Sequence, residues 1–360
     1  MHRRVVLLSA VALTVAGALA PVGTAQASAT NSLDRRPVGW SGADSWSEAR
    51  SVQQYWTPQR MLAAQALDTP RPRRTRSGGP TEGDPWATRG ASDTARRTPW
   101  TTRGAASAVQ GAPWSVRGTA AVDAQRVAAV PNSPGLRWTD GGAVVRTTGR
   151  VFFTTAEGGN ASCSGSAVTS ANESVVMTAG HCVKLNGAAH RNVVFVPGFD
   201  NGRRPFGTWV ATRLLTTQQW NAREDINFDV AAAVLAPLQG RTLTDVVGGQ
   251  GVAFNQARGR QMFSFGYPAA RPFDGSRLIY CSGRTFNDTV MTSDQGLRCN
   301  MTGGSSGGPW FQAFNESTGL GMLNSVNSFK YDFAPDFMFG PFFGNEAMAV
   351  YQAAQSADTL

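Results

Sequence analysis

From about Pro131 onward the chain is a succession of short β-branched and aromatic runs separated by Gly, Asn and Asp turns. The runs include 150–154, 164–169, 175–179, 193–196, 208–215, 230–235, 262–267 and 277–281. Strands of this length at regular spacing cannot bury both faces alone. They must close on one another as an all-β sandwich or barrel. Forty glycines against nineteen prolines suit a turn-rich β protein, and 41% hydrophobic residues suffice for a sizeable core. Near the C-terminus, Asn345 is placed to cap a helix over 346–355.

The first 130 residues read differently. Arg3 and Arg4 precede an uncharged apolar stretch, 5–20, and Ala25-Gln26-Ala27 and Ala27-Ser28-Ala29 offer small residues at cleavage positions. This is the pattern of a secretory signal over 1–29. No later run reaches the roughly 20 apolar residues of a spanning helix, so a soluble, secreted, extracellular product with no membrane partner is expected. Residues 30–67 form a pro-segment with two short helices. Ser45 and Glu48 have capping-box spacing, and Thr57-Pro58 places a cap before a proline at the first helical position. Residues 68–131 read as a low-complexity linker. Within it a unit recurs every 14 residues: Pro85-Trp86-Ala87-Thr88-Arg89-Gly90, Pro99-Trp100-Thr101-Thr102-Arg103-Gly104 and Pro113-Trp114-Ser115-Val116-Arg117-Gly118. Composition favours a spacer over a binding repeat. The folded domain is expected over 132–360.

The net charge of +9 does not indicate nucleic acid. Residues 1–130 carry 16 Lys/Arg against 8 Asp/Glu, whereas residues 131–360 carry 17 against 16. The basic excess lies outside the expected folded domain, where a nucleic-acid surface would be built. Four cysteines behind a signal sequence imply disulfides. Of three pairings, Cys163–Cys182 and Cys281–Cys299 each close a short local loop. With three histidines and no C-x-x-C pair, a zinc site is not expected.

Three local patterns carry chemistry. In Val175-Val176-Met177-Thr178-Ala179-Gly180-His181-Cys182, an apolar strand ends at a histidine next to a cysteine. His2 lies in the signal, so a histidine base must be His181 or His190, and His190 sits in a polar turn. In Asn227-Phe228-Asp229-Val230-Ala231, an acid precedes an apolar strand and could orient that imidazole. Asp225 is its rival. In Gly303-Gly304-Ser305-Ser306-Gly307-Gly308-Pro309, glycines allow a serine hydroxyl to sit beside inward-pointing amides. The amides of Gly304 and Ser306 would form an oxyanion hole.

In the order His181, Asp229, Ser306, these motifs resemble the trypsin/chymotrypsin-like serine peptidases, and within them the secreted bacterial branch that includes the glutamyl endopeptidases. The resemblance covers roughly residues 146–355. It implies two antiparallel six-stranded β-barrels with the active site between them, the Cys163–Cys182 bridge behind the histidine, and a Ser-His-Asp triad acting on protein or peptide substrates. It needs no metal or organic cofactor, and a monomer is expected. The family's aspartate before the nucleophile is here Ser305, which cannot pair with a freshly cut N-terminus. The resemblance also places the specificity pocket along Asn300 and Ser325-Val326-Asn327-Ser328. Arg298 could supply a charge, and the neutral Asn300 argues against strong cation selectivity.

Overall fold

The computed structural model describes residues 35–67, 69, 70, 72, 111–119 and 132–360. The expected signal and the first two copies of the repeat lie outside the described residues.

Six antiparallel strands close into a barrel. Trp209–Thr216 pairs with Arg191–Pro197, and the ladder continues through Thr148–Thr154, Asn160–Val168, Val175–Thr178 and Ala231–Leu235 back to Trp209–Thr216. The eight runs read from sequence all fall on strands, displaced by at most a few residues at their ends. Closure gives every strand of the ring a partner on both sides over part of its length. Val151, Phe152 and Phe153 are all buried because both faces of their strand are covered, one by the barrel interior and the other by neighbouring elements.

The C-terminal half divides the same task between two sheets. A seven-stranded sheet runs in the order Trp114–Val116, Gly251–Phe254, Leu320–Val326, Pro309–Asn315, Gln261–Gly266, Ile279–Arg284, Leu136–Arg137. A four-stranded sheet orders Phe286–Asn287, Gln295–Arg298, Ala334–Gly340 and Phe329–Tyr331. One parallel pairing in the seven-stranded sheet, Gly251–Phe254 with Leu320–Val326, interrupts its antiparallel pattern. Both disulfides form as read, Cys163–Cys182 and Cys281–Cys299.

The C-terminal helix spans Asn345–Gln355. Its N-cap is Gly344, not Asn345, whose amide oxygen instead accepts from Asn255 Nδ2. The cap falls one residue earlier, with the Asn345 side chain tied to the buried Asn255. The helix seats Val350, Tyr351 and Ala354 on the junction of the two halves.

Two N-terminal pieces join this body. Ser45 and Thr57 cap helices Trp46–Tyr55 and Pro58–Ala63 by accepting from Glu48 N and Arg60 N. The Glu48 carboxylate takes Asp44 N rather than closing the box on Ser45. Val38–Ser41 pairs with Trp209–Thr216. Trp56 and Met61 are buried in the barrel's core cluster, each contributing about 2–3 kcal/mol at the usual value of apolar burial. Trp56 Nε1 donates to Asn192 O at 2.6 Å, and Tyr55 Oη to Asn160 Oδ1 at 2.9 Å. The second piece is the third copy of the repeat. Trp114–Val116 extends the seven-stranded sheet beside Gly251–Phe254, ahead of the expected domain start at 132.

Candidate active site

His181 leaves the barrel in a short 3-10 turn, Gly180–Cys182, directly after strand Val175–Thr178. Gly180 has to be glycine: a Cβ there would lie 2.7 Å from the indole of Trp220. The disulfide ties Cys182 to Cys163 on strand Asn160–Val168, fixing the turn from a second direction.

The Asp229 carboxylate grips His181 twice. Oδ1 accepts the His181 backbone N–H at 2.8 Å and Oδ2 lies 2.7 Å from Nδ1. Oδ2 also accepts the Ser328 hydroxyl at 2.5 Å. Histidine and aspartate are both fully buried. A carboxylate held by three donors fixes both the position and the tautomer of the imidazole, leaving Nε2 as the free nitrogen. Asp225 does not compete. It caps the turn Ile226–Phe228 and pairs with Arg223.

His190 is not a second base. Its ring stacks on Phe153, with centroids 4.3 Å apart, and its Nε2 lies 3.1 Å from His181 O. Burial pushes its pKa down to about 4, against the smaller upward pull of the His181 carbonyl. The neutral ring therefore donates to that carbonyl and braces the turn carrying His181. A further buried carboxyl, Asp294, is driven well above the usual range by burial and then by the charge of Asp229.

Ser306 sits between two left-handed glycines, Gly304 (φ 89°) and Gly307 (φ 76°). A Cβ on Gly307 would fall 2.0 Å from Thr178 Oγ1 and 2.8 Å from Ala179 N, so the serine loop is pressed against the strand end that presents His181. The Ser306 carbonyl accepts from Ser164 N at 2.7 Å, next to Cys163. His181 Nε2 and Ser306 Oγ are both buried without a hydrogen-bond partner among the described residues. The carbonyl of Gly303 is turned away by Ala269 N at 2.7 Å. In a trans peptide this aims the Gly304 N–H the opposite way, and it donates to the carbonyl of Leu67 at 3.1 Å. Ser305 is locked locally: its buried hydroxyl donates to Thr302 O at 2.7 Å, so no charged chain terminus is needed to hold it.

A profile of the trypsin-like peptidase domain matches residues 163–320. No curated protein matches the sequence. Among solved structures, the protease Anisep from Arthrobacter nicotinovorans is 44% identical over 62% of this chain and 100% of its own, with a TM-score of 0.58. The chain belongs to the trypsin-like serine peptidases. The thermostable serine protease AL20 from an extremophilic microorganism is also 44% identical, over 60% of this chain and all of its own, with a TM-score of 0.57. A Glu endopeptidase shares the fold at 15% identity and TM-score 0.50, over 62% of this chain and 98% of its own.

In this peptidase the pocket residues read from sequence separate. Asn300 lines a cavity of about 540 Å³ with Thr302, Gly303, Lys330 and Asp336, and Thr69 and Pro272 also reach it. Ser325, Val326 and Asn327 do not line it and are fully buried. Ser325 Oγ donates to Pro341 O. The Asn327 amide bonds Phe265 O and Ser305 O, and takes Ser264 Oγ and Trp310 Nε1. It pins the serine loop from below. Arg298 is exposed on its strand, not at the cavity. Ser328 has a different role from the one the sequence suggests, and Lys330 carries no signal in the sequence. The resemblance puts Ser328 at the pocket, whereas its hydroxyl binds Asp229, and Lys330 brings an ammonium to the cavity wall. Burial lowers the Lys330 pKa to about 8, opposed by Asp336. No metal reading attaches to the cluster of Cys163, His181 and Cys182, because both sulfurs are used in the disulfide.

Proposed function

We propose that this peptidase is a secreted serine endopeptidase, made as a proprotein, that cleaves peptide bonds through Ser306, His181 and Asp229. On this reading residues 1–29 are the signal, 30–67 the pro-segment, 68–131 the linker and 132–360 the peptidase domain. The observation that carries it is the double grip of Asp229 on the backbone and Nδ1 of His181, at 2.8 and 2.7 Å.

That grip supports the following steps. Ser306 Oγ attacks the substrate carbonyl while His181 Nε2 takes its proton. Asp229 stabilises the resulting imidazolium without taking the proton itself. The amides of Gly304 and Ser306 receive the charge on the carbonyl oxygen. His181 then gives its proton to the leaving amine, and water repeats the cycle on the acyl-enzyme. Ser328 and His190 are positioning residues. One holds the carboxylate and the other holds the turn of His181.

A fluorophosphonate should label Ser306 once the N-terminal segment has been removed, and Ser306→Ala should abolish the adduct by intact mass. Asp229→Asn should keep the fold and lower kcat on the order of 10⁴-fold, because the wrong tautomer is then favoured. A well-folded, unblocked protein that never labels would support the rival reading, a catalytically silent binding protein on this fold.

A further inference from the structure

The segment Gln65–Leu67 lies in the cleft, and its direction decides what it can do there. We propose that it is an inhibitor bound backwards, which occupies the catalytic cleft without being a substrate. The proposal rests on the catalytic reading above.

The direction is read from its partners. Gln65 pairs with Ala161 and Ala66 with Ser162 in parallel register. Leu67 N donates to Ser162 O at 3.1 Å, and Ser162 Oγ reaches Gln65 O at 3.4 Å. The chain then presents the Leu67 carbonyl to the Gly304 N–H, the site meant for a substrate's reacting carbonyl. Beyond it, Thr69 lies at the cavity with Asn300, Thr302 and Gly303. The segment therefore runs from the strand of Ala161 and Ser162, past Ser306, to the pocket.

A substrate must run the other way. Its acyl side fills the pocket formed by the residues just before Ser306. Its leaving amine must meet His181, so the residues after the cleaved bond lie on the histidine's side. That side is the strand of Ala161–Cys163, which the disulfide joins to Cys182. In the reversed segment, the bond leaving the Leu67 carbonyl heads toward Thr69 and the pocket. His181 Nε2 cannot hand a proton to that nitrogen. Acylation of Ser306 would lack its general acid, and the bond survives.

The fit is anchored away from the chemistry. Trp56 and Met61 are buried in the barrel core, and Arg60 Nη1 donates to Tyr55 O at 2.7 Å between the two helices. The segment is thus held by the barrel and laid over the site, where Ser306 and His181 are both fully buried. Cutting the chain after residue 72 would leave these contacts intact. The released N-terminal piece is expected to stay as a tight, uncut inhibitor until it dissociates or is destroyed.

The test uses the full chain. The rate of Ser306 labelling by a small fluorophosphonate is compared in the wild type, Leu67→Pro, which removes the N–H given to Ser162 O, and Met61→Glu, which unseats the segment without touching the cleft. Both variants should label on the order of 100-fold faster than the wild type, the factor expected when an opening step costing about 3 kcal/mol is removed. Intact mass should show no fragment ending at Leu67. Equally fast labelling of all three proteins would overturn the proposal while leaving the catalytic reading intact. A fragment ending at Leu67 would show an ordinary substrate-like segment and overturn the reversal. If no protein labels, even in the two variants, the catalytic reading fails and this proposal fails with it.

Discussion

Residues 38–69 and residues 111–119 both lay N-terminal chain on sheets that the peptidase body has already built. The first adds strands at two places on the closed barrel, Val38–Ser41 and Gln65–Ala66, and then carries a carbonyl to Gly304 N. The second adds one antiparallel strand to the open edge at Gly251–Phe254, with Trp114 against Phe254 and Tyr351. Thr119 N then donates to Gly249 O. Gly118 is fixed by crowding, since a Cβ there would lie 2.9 Å from Gly249 O. An unpaired edge invites further pairing, and covering it is a structural need. Gln65–Ala66 likewise pairs a stretch of Asn160–Val168 that Val175–Thr178 leaves open, but its chain goes on to Gly304 N in the cleft. Strand addition of the same kind thus protects an edge in one half and blocks chemistry in the other.

Acid loads the cleft half of this comparison. His190 sits beneath the His181 turn with its pKa lowered to about 4. Above pH 6.5 both folded and unfolded chains hold the ring neutral. As the pH falls through 6.5 the unfolded chain takes a proton that the folded one refuses. Stability therefore drops until about pH 4, by about 3 kcal/mol in all. Urea midpoints measured from pH 7 to pH 4 should show this slope, and His190→Asn should flatten it. A slope unchanged in the variant would assign the acid sensitivity elsewhere.

Trp114→Ala should cost about 2 kcal/mol of stability, less than a fully buried tryptophan because the side chain is only half-buried. It should leave the rate of Ser306 labelling as it was, since the strand touches neither Gly304 nor the His181 turn. A faster rate in Trp114→Ala would mean that the two N-terminal stretches are coupled, and the division of labour drawn here would be wrong.

The elements that were legible before the structure share one property: their signal is local. The alternating and apolar runs located the barrel strands, Thr57-Pro58 marked a helix start, and the glycines around Ser306 marked a loop of positive φ. Asp229 stands out in the sequence only through its place between the histidine and serine motifs, with Asp225 as a rival. Features set by a partner elsewhere in the chain did not show. Ser325 and Ser328 sit three apart in one serine-rich stretch, and only the fold shows that Ser328 reaches Asp229 while Ser325 turns to Pro341. Lys330 is an ordinary lysine until the four-stranded sheet brings it to the pocket. The strand at Trp114–Val116 comes from a stretch that reads as spacer, because an edge strand takes its order from the edge it joins.

How the cleft segment lets go can be read from its two helix caps. Thr57 Oγ1 accepts Arg60 N at 3.2 Å, and Ser45 Oγ accepts Glu48 N at 3.3 Å. Removing either hydroxyl costs about 1 kcal/mol of helix stability. The helices Trp46–Tyr55 and Pro58–Ala63 meet at Trp56 and share one core with Met61 and Val52. They should leave the barrel as a unit, so Thr57→Ala and Ser45→Ala should each raise the labelling rate of the full chain by the same factor, roughly fivefold. Single-turnover labelling of both variants reads this directly. A rise confined to Thr57→Ala would mean that Pro58–Leu67 peels back alone while Trp46–Tyr55 stays docked, and the inhibitor would then be the shorter piece.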